Sequence, residues 1–240
     1  MRLIDATLPT PAENLALDEA LLACGGDEAL RLWEADAPFV VLGRSSRVGD
    51  EVDVDRCREE AIPVLRRVSG GASIITGPGC LMYAVTLDLA KRPQLADLGA
   101  AHAFVLGRVV EAIRDHEPTA RIAGTSDLAC ERDGGMRKFS GSSLRRVRDR
   151  LLYHGTLLYG FDLTLVPRLL RHAPRQPEYR AARPHADFIT NLQAANRQSI
   201  VESLVRSWGV HPGEATVSER AMTRELVADK YVTDAWTHSR

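Results

Sequence analysis

An α+β architecture, with a mostly antiparallel mixed sheet and helices packed on one side of it, is what this chain of 240 residues predicts. Three observations carry that expectation. Strand-like runs and helices alternate through the first third. Over residues 121–163, strand segments then follow one another with no helix between them, which antiparallel neighbours allow and parallel ones do not. Between these regions lies a single long amphipathic stretch.

The elements read as follows. Over residues 11–24, Leu15, Leu17, Leu21 and Leu22 stand among Ala, Glu and Asp and predict a compact helix, opened by Pro11 and ended by the Gly25–Gly26 pair. Residues 29–33 and 39–42 are strand-like runs joined through Pro38. A helix over 53–61 leads into a strand at 62–65. Residues 72–75 and 81–89 are β-rich and are separated by the turn Gly77-Pro78-Gly79, which predicts an antiparallel pair. Phe104, Val105, Val109, Val110 and Ile113 recur at helical spacing over 97–116. In 121–163, Gly134–Gly135 and Ser140–Gly141 divide three or four short strands. The tail holds short helices at 163–171, 197–208 and 218–228 and a Pro-rich charged loop over 174–184. No linker, repeat or low-complexity segment interrupts the chain, so one domain over 1–240 is expected.

Composition narrows the function. With 45% apolar residues and 31 Lys and Arg against 32 Asp and Glu, the net charge gives no bulk attraction for nucleic acid or for acidic membrane. The N-terminus lacks a basic flank followed by an apolar core, and no run approaches the ~20 apolar residues of a membrane span, so a cytoplasmic protein is expected. Cys24, Cys57, Cys80 and Cys130 form no Cys-x-x-Cys pair and read as reduced thiols. The seven histidines show no paired spacing, so no metal ligands are assigned.

Two segments carry chemistry. In Arg66-Arg67-Val68-Ser69-Gly70-Gly71-Ala72, two cations lead from a strand into a glycine pair. Backbone N–H groups without side chains can approach a ligand closely, and guanidinium groups bind phosphate or carboxylate oxygens. The segment reads equally as a hairpin corner with two surface arginines. It is neither a Walker loop nor a dinucleotide fingerprint. In Arg137-Lys138-Phe139-Ser140-Gly141-Ser142-Ser143, a lysine runs into a Ser/Gly turn. Beside an anion site, such an ammonium can hold the oxygens between which charge shifts, and alone it is an edge residue facing solvent.

Taken in order, these segments resemble the lipoate-protein ligase family. The run from Arg66 through Cys80 to Tyr83 is similar to its lipoyl-binding loop. Ser126-Asp127-Leu128, Lys138-Phe139-Ser140-Gly141 and His154-Gly155 through Asp162 resemble its Asn-Asp, Lys-x-Ser-Gly and His-Gly series. Glu13-Asn14 through Leu21 looks like its first helix, and Gly43-Arg44 like its Gly-Arg turn. The resemblance implies the catalytic domain shared with biotin ligases and octanoyltransferases, a fold of the class II aminoacyl-tRNA synthetase type. It implies ATP with Mg²⁺, lipoate or octanoate as the acid, and an apo lipoyl domain or a glycine-cleavage H-type protein as acceptor. Lys138 would be the catalytic residue. Arg67, Ser69, Gly70, Gly71, Ala72, Thr76, Cys80, Asp127, Ser140, Gly141 and His154 would line the substrate and adenylate site, with His154 fixing its strand by hydrogen bonding.

The pattern also departs from the family. Thr76-Gly77 replaces the usual His-Asp, Cys80 stands where Asn is common, and Ala72 replaces a third glycine, changes that bear on the pocket floor and the acyl chain it takes. The sequence runs on too little past the catalytic segments for the C-terminal accessory domain of longer members, and the resemblance then implies either a separate accessory subunit or a chain that transfers better than it activates. Two other readings stay open. One is a transferase working through an acyl-thioester on cysteine, with Cys80 as nucleophile, and the other is a silent lipoate-binding module. The arginine-rich run at 145–150 reads as a solvated hairpin or as a steering surface for an acidic acceptor.

Overall fold

The structure is a computed structural model that describes residues 1–171 and 176–240. Its first strand, β1 (Arg2–Asp5), precedes α1 (Pro11–Ala23). A capping box starts α1: Glu13 N–H donates to Thr10 Oγ1 (3.2 Å) and Thr10 N–H donates to the Glu13 carboxylate (2.9 Å). Apolar and small residues on nearly every side of α1 suit its position, since nine of its residues, including Asn14 and Asp18, are buried.

β2 (Ala29–Trp33) and β3 (Phe39–Leu42) follow, then the short helices α2 (Val48–Glu51) and α3 (Val54–Glu59). Asp53 caps α3 by accepting from Arg56 N–H, and a positive φ at Ala61 ends the turn after it. β4 (Val64–Arg66), β5 (Ile74–Thr76) and β6 (Cys80–Asp88) come next. The predicted pairing of the segments around β5 and β6 does not occur. β5 pairs antiparallel with β3, which is parallel to β4, in a separate three-stranded sheet, while β6 lies between β2 and β10 in the main sheet. The Gly77–Gly79 turn therefore passes the chain from one sheet to the other. Both flanking runs are apolar enough to be buried on two faces, so local pattern could not choose their partners.

The long helix α4 (Leu98–Ile113) leads to β7 (Arg121–Ala123), β8 (Asp127–Arg132), β9 (Gly135–Val147) and β10 (Arg150–Leu158). β9 is one strand of 13 residues that runs through Ser140–Gly141, where a break was expected. The tail comprises α5 (Leu165–Leu169), α6 (His185–Phe188), α7 (Arg197–Trp208), β11 (His211–Pro212), α8 (Val217–Leu226) with a π turn (Val227–Tyr231), and α9 (Asp234–Thr237). In the predicted loop at 174–184, Pro174 and Arg175 lie outside the described residues.

The main sheet has the order β11-β1-β2-β6-β10-β9-β8-β7, parallel only where β1 meets β2 and β11. Alternation along its strands sends Val85, Leu87, Leu151 and Tyr153 to one face, where α4 and α7 cover them. Ala84 and Leu152 point to the other face, against Leu22 of α1 and Val68. Helices thus cover both faces, where one was expected, because β6 and β10 are apolar on each side. Among the described residues no helix is long and apolar enough to cross a membrane.

Candidate active site

The two adjacent arginines behave differently from a pair of anion ligands. Arg66 is fully buried and donates to the carbonyl oxygens of Gly43 (2.6 Å), Ser46 (2.8 Å) and Thr237 (2.7 Å). It ties the Gly43–Arg44 turn to the C-terminal segment, and Trp236 Nε1 returns a bond to Arg66 O (2.8 Å). Arg67 is also buried and curls into its own loop, donating to Ser69 Oγ (3.1 Å), Gly70 O (2.5 Å) and Ala72 O (3.0 Å). Burial pulls its pKa down to about 10, so it remains charged at neutral pH.

These bonds set the loop's polarity. Gly70 O also accepts from Ser143 Oγ (2.8 Å), and Gly71 O accepts from Ser46 Oγ (3.3 Å). The carbonyls of residues 70–72 are therefore held by the protein, while the N–H groups of Gly70, Gly71 and Ala72 donate to no protein acceptor among the described residues. Gly71 has φ +85°, a conformation that costs a residue with a side chain. Adjacent free amides of this kind form a concave donor set for an anion. The loop thus presents donors that an anion could accept from, with Arg67 as an internal brace and not as an outward fork.

His154, on β10, anchors the loop from below. Its Nε2 lies 2.5 Å from Ser69 Oγ, and its Nδ1 lies 3.4 Å from Asp18 Oδ2 on α1. Asp18 in turn sits 2.5 Å from the fully buried Arg31 guanidinium, which also donates to Asn14 O (2.7 Å) and Asn14 Oδ1 (2.6 Å). Burial would raise the Asp18 carboxyl, but Arg31 and His154 outweigh it and hold it below the usual range. His154 thus links Ser69 of the glycine loop to Asp18, and α1, β10 and the glycine loop are tied by one buried network.

Lys138 reaches this face through an irregularity in the sheet. The β8–β9 pairing shifts between Leu128, opposite Ser140, and Ala129, opposite Lys138, so Phe139 is an extra residue. Phe139 is fully buried in the core beneath α4. Strict alternation would put residues 138 and 141 on opposite faces, whereas a Cβ built on Gly141 would lie 2.7 Å from Lys138 Nζ. Gly141 and Ser143 share a face, so Lys138, Gly141 and the Ser143–Gly70 contact lie along one side of β9. Lys138 Nζ is 2.7 Å from Asp127 Oδ1, and Tyr179 donates to Asp127 Oδ2 (2.9 Å).

Other expected residues stand elsewhere. Ser140 is fully buried and, next to Gly141 on the strand, turns to the opposite face, so it does not complete the pocket. Thr76 and Cys80 are sealed, with Cys80 in the core shared with the three-stranded sheet. Burial pushes the Cys80 thiol up to about 12, which leaves a negligible thiolate fraction near neutral pH. Asp18, Ser143 and Tyr179 are among the residues of the arrangement that were not foreseen, as are Arg31 and Ser46. Ser143 closes the Ser/Gly run and Tyr179 is the aromatic in the Pro-rich loop, but only the folded chain brings them to Gly70 and Asp127. Among the described residues no cluster of three or more His, Cys, Asp or Glu side chains could hold a metal.

The lipoyl protein ligase A/B catalytic domain family model matches residues 10–207. The chain is 24% identical to lipoate–protein ligase 1 of Staphylococcus aureus (strain Mu50) over 242 residues, covering 96% of this chain and 70% of the relative. A structure of a bipartite lipoate protein ligase with its E2 lipoyl domain, from Thermoplasma acidophilum, superposes with a TM-score of 0.85 at 23% identity, covering 99% of this chain and 95% of that one. A crystal structure of lipoate-protein ligase A bound with ATP gives a TM-score of 0.82 at 21% identity, covering 99% and 98%.

Proposed function

Because the chain belongs to the lipoyl protein ligase A/B catalytic domain family, we propose that it activates lipoate or octanoate with ATP and transfers the acyl group to a lysine of an acceptor domain. The observation that carries this reading is the alignment along β9: free loop amides at Gly70–Gly71 beside Ser143, and the Lys138 ammonium beside Gly141, on one face.

A carboxylate resists nucleophiles, so it must first become a mixed anhydride with AMP, releasing pyrophosphate. The amides of residues 70–72 receive anionic oxygen, and Lys138 leaves Asp127 to neutralise charge as it moves between the acyl carbonyl and the phosphate. The acceptor lysine, as free amine, then attacks the activated carbonyl; an amide forms, the acyl–phosphate bond breaks, and AMP leaves with the electron pair. Arg67, Ser69 and His154 act at one remove by holding the loop. Mg²⁺ enters, on this reading, as part of the nucleotide substrate, whose phosphates supply oxygen ligands, and not in a resident metal site.

An apo lipoyl domain is the favoured acceptor, by analogy with the Thermoplasma acidophilum pair, with a glycine-cleavage H-type protein as the second choice. The bipartite make-up of that relative supports a separate accessory subunit here. Four thiols without disulfides fit a reducing cytoplasm.

Incubation with ATP, Mg²⁺, octanoate or lipoate and an apo lipoyl domain is expected to add one acyl mass to a single acceptor lysine, with AMP released. If activation needs the accessory subunit, preformed acyl-AMP restores transfer. A Cys80→Ala variant is expected to retain this activity; an ATP-independent, hydroxylamine-sensitive acyl adduct on Cys80 would replace the ligase with the thioester transferase.

Gly141→Ala tests the position of the ammonium. The added methyl would clash with the end of the flexible Lys138 side chain and make ordinary contact with Asp127 Oδ1 at 3.6 Å, so the fold should persist while Lys138 is displaced. Acyl-adenylate formation is expected to fall roughly 10- to 100-fold with an unchanged unfolding midpoint. Wild-type rates in this variant would detach Lys138 from the chemistry.

A further inference from the structure

The glycine loop is fastened at its entrance by a segment distant in sequence. β4 ends at Arg66 and lies at the edge of the three-stranded sheet. Arg67 N–H bonds inward to Leu42 O of β3 (3.0 Å), and the carbonyl of the same planar peptide group, Arg66 O, points the opposite way, off the sheet edge. Trp236 Nε1 meets it there and donates to it (2.8 Å). The exchange is reciprocal, because Arg66 Nε and Nη2 donate to Thr237 O (3.0 and 2.7 Å) and Nε also donates to Trp236 O (3.1 Å). The residue that leads into the loop is thus gripped by both its main chain and its side chain.

Trp236 is itself held in place. The Lys230 ammonium lies over its ring, 4.1 Å from the centroid, and pairs with Glu19 Oε2 of α1 at 2.7 Å. The Tyr231 hydroxyl donates to the same carboxylate oxygen (2.7 Å). Glu19 adjoins Asp18, whose partner His154 reaches Ser69. α1 therefore braces the loop twice, from beneath through Asp18 and His154, and at its entrance through Glu19, Lys230 and Trp236. The entrance brace extends to the middle of the loop, since Arg66 also donates to Ser46 O (2.8 Å) and Ser46 Oγ donates to Gly71 O (3.3 Å). An indole suits this place because a flat ring fills the space under the ammonium while its single N–H is aimed at a fixed acceptor.

We propose that Trp236 is a positioning residue, whose indole N–H fixes Arg66 so that the free amides of residues 70–72 stand ordered before a ligand arrives. Its effect on the reaction rests on the ligase reading, whereas the tether itself is measured without turnover. Amide hydrogen exchange is followed by mass spectrometry in the wild type, Trp236→Phe and Trp236→Ala. The peptides of interest carry Arg44 and Arg67, whose N–H groups hold the loop through Ser69 O (2.8 Å) and Leu42 O (3.0 Å), and peptides from β6 and β10 serve as controls. Transfer of octanoate from preformed octanoyl-AMP to an apo lipoyl domain gives kcat and KM, and urea unfolding gives the midpoint.

Trp236→Phe keeps a ring under Lys230 and removes only the donor. Exchange at Arg44 and Arg67 is expected to quicken roughly 3- to 10-fold, the range set by one lost neutral hydrogen bond, while the control peptides and the midpoint stay at wild-type values. The KM for octanoyl-AMP should rise by a similar factor, about 3- to 10-fold, with kcat little changed, because the cost of ordering the loop moves into the binding step. Trp236→Ala, which also loses the contact with Lys230, should show larger changes of the same kind. A merely structural role lowers the active fraction, and hence the apparent kcat, and leaves KM in place. That pattern overturns the proposal, as do wild-type exchange at Arg44 and Arg67 in both variants and faster exchange spread evenly over the control peptides. Faster loop exchange in the variants, with no octanoyl transfer by the wild type itself, would leave the tether standing and remove the ligase reading.

Discussion

Lys138→Ala is expected to slow acyl-adenylate formation by roughly 10²–10³-fold, the typical loss when one preorganised donor to developing charge is removed, or about 3–4 kcal/mol of barrier. The side chain is well placed for this. It is partly accessible, it extends over Gly141, and its only ion-pair partner among the described residues is Asp127, from which a substrate oxygen can draw it. Asp127 keeps the Tyr179 hydroxyl when the lysine is lost, so the stability cost should be about 1 kcal/mol. Lys138→Arg preserves the charge but spreads it over a planar fork that cannot occupy the same point, and an intermediate rate is expected. Pyrophosphate exchange and denaturant unfolding together separate the two effects. A rate within a few-fold of wild type in Lys138→Ala, with exchange still dependent on the acid, would leave the reaction without its assigned cation.

The second large effect is on stability. Asp18→Ala strands the Arg31 guanidinium, which is fully buried and has Asp18 as its carboxylate partner. Removing one member of a buried ion pair typically costs about 3–5 kcal/mol, a large part of the stability of an ordinary domain. Asp18→Asn keeps a hydrogen-bond acceptor and should cost less. The same pair sets a pH dependence. The folded-state pKa of Asp18 lies below its unfolded value, near about 3.9 for a free aspartate. The contribution is therefore present in full above that unfolded value and is lost as pH falls through the folded one. Urea unfolding between pH 7 and pH 3 should show a decline beginning below about pH 5 that is smaller in Asp18→Asn. Identical pH profiles for the two proteins would mean that Asp18 is not held in its charged form by this network.

The buried network also explains what sequence reading could and could not reach. Asp18 lies in a stretch whose apolar periodicity marks a helix, and nothing local indicates that it meets Arg31 and His154. Similarly, Arg66 and Arg67 look alike in the chain, but Arg66 ends β4 while Arg67 opens the loop that follows it. One guanidinium therefore enters the turn at Gly43 and the C-terminal segment, while the other folds back under the glycine loop. The pairing of β5 with β3 and not β6 has the same origin, because two apolar runs separated by a tight turn fit a hairpin and a crossing between sheets equally well.

The sequence alone determined the strand and helix segments of most of the chain, the glycine-pair loop, the lysine-bearing strand and, through their order, the family. These are local properties: side-chain volume, backbone freedom at glycine and apolar periodicity act within a few residues. Tertiary structure alone decided which sheet each strand joined, that Ser140 and Cys80 point away from the open face, and that Tyr179 and Asp18 complete its supports. It also decided that one extra residue, Phe139, turns Lys138 onto the face of Gly141 and the glycine loop. Such choices depend on register between strands distant in sequence, and a shift of a single residue reverses the direction of every side chain beyond it.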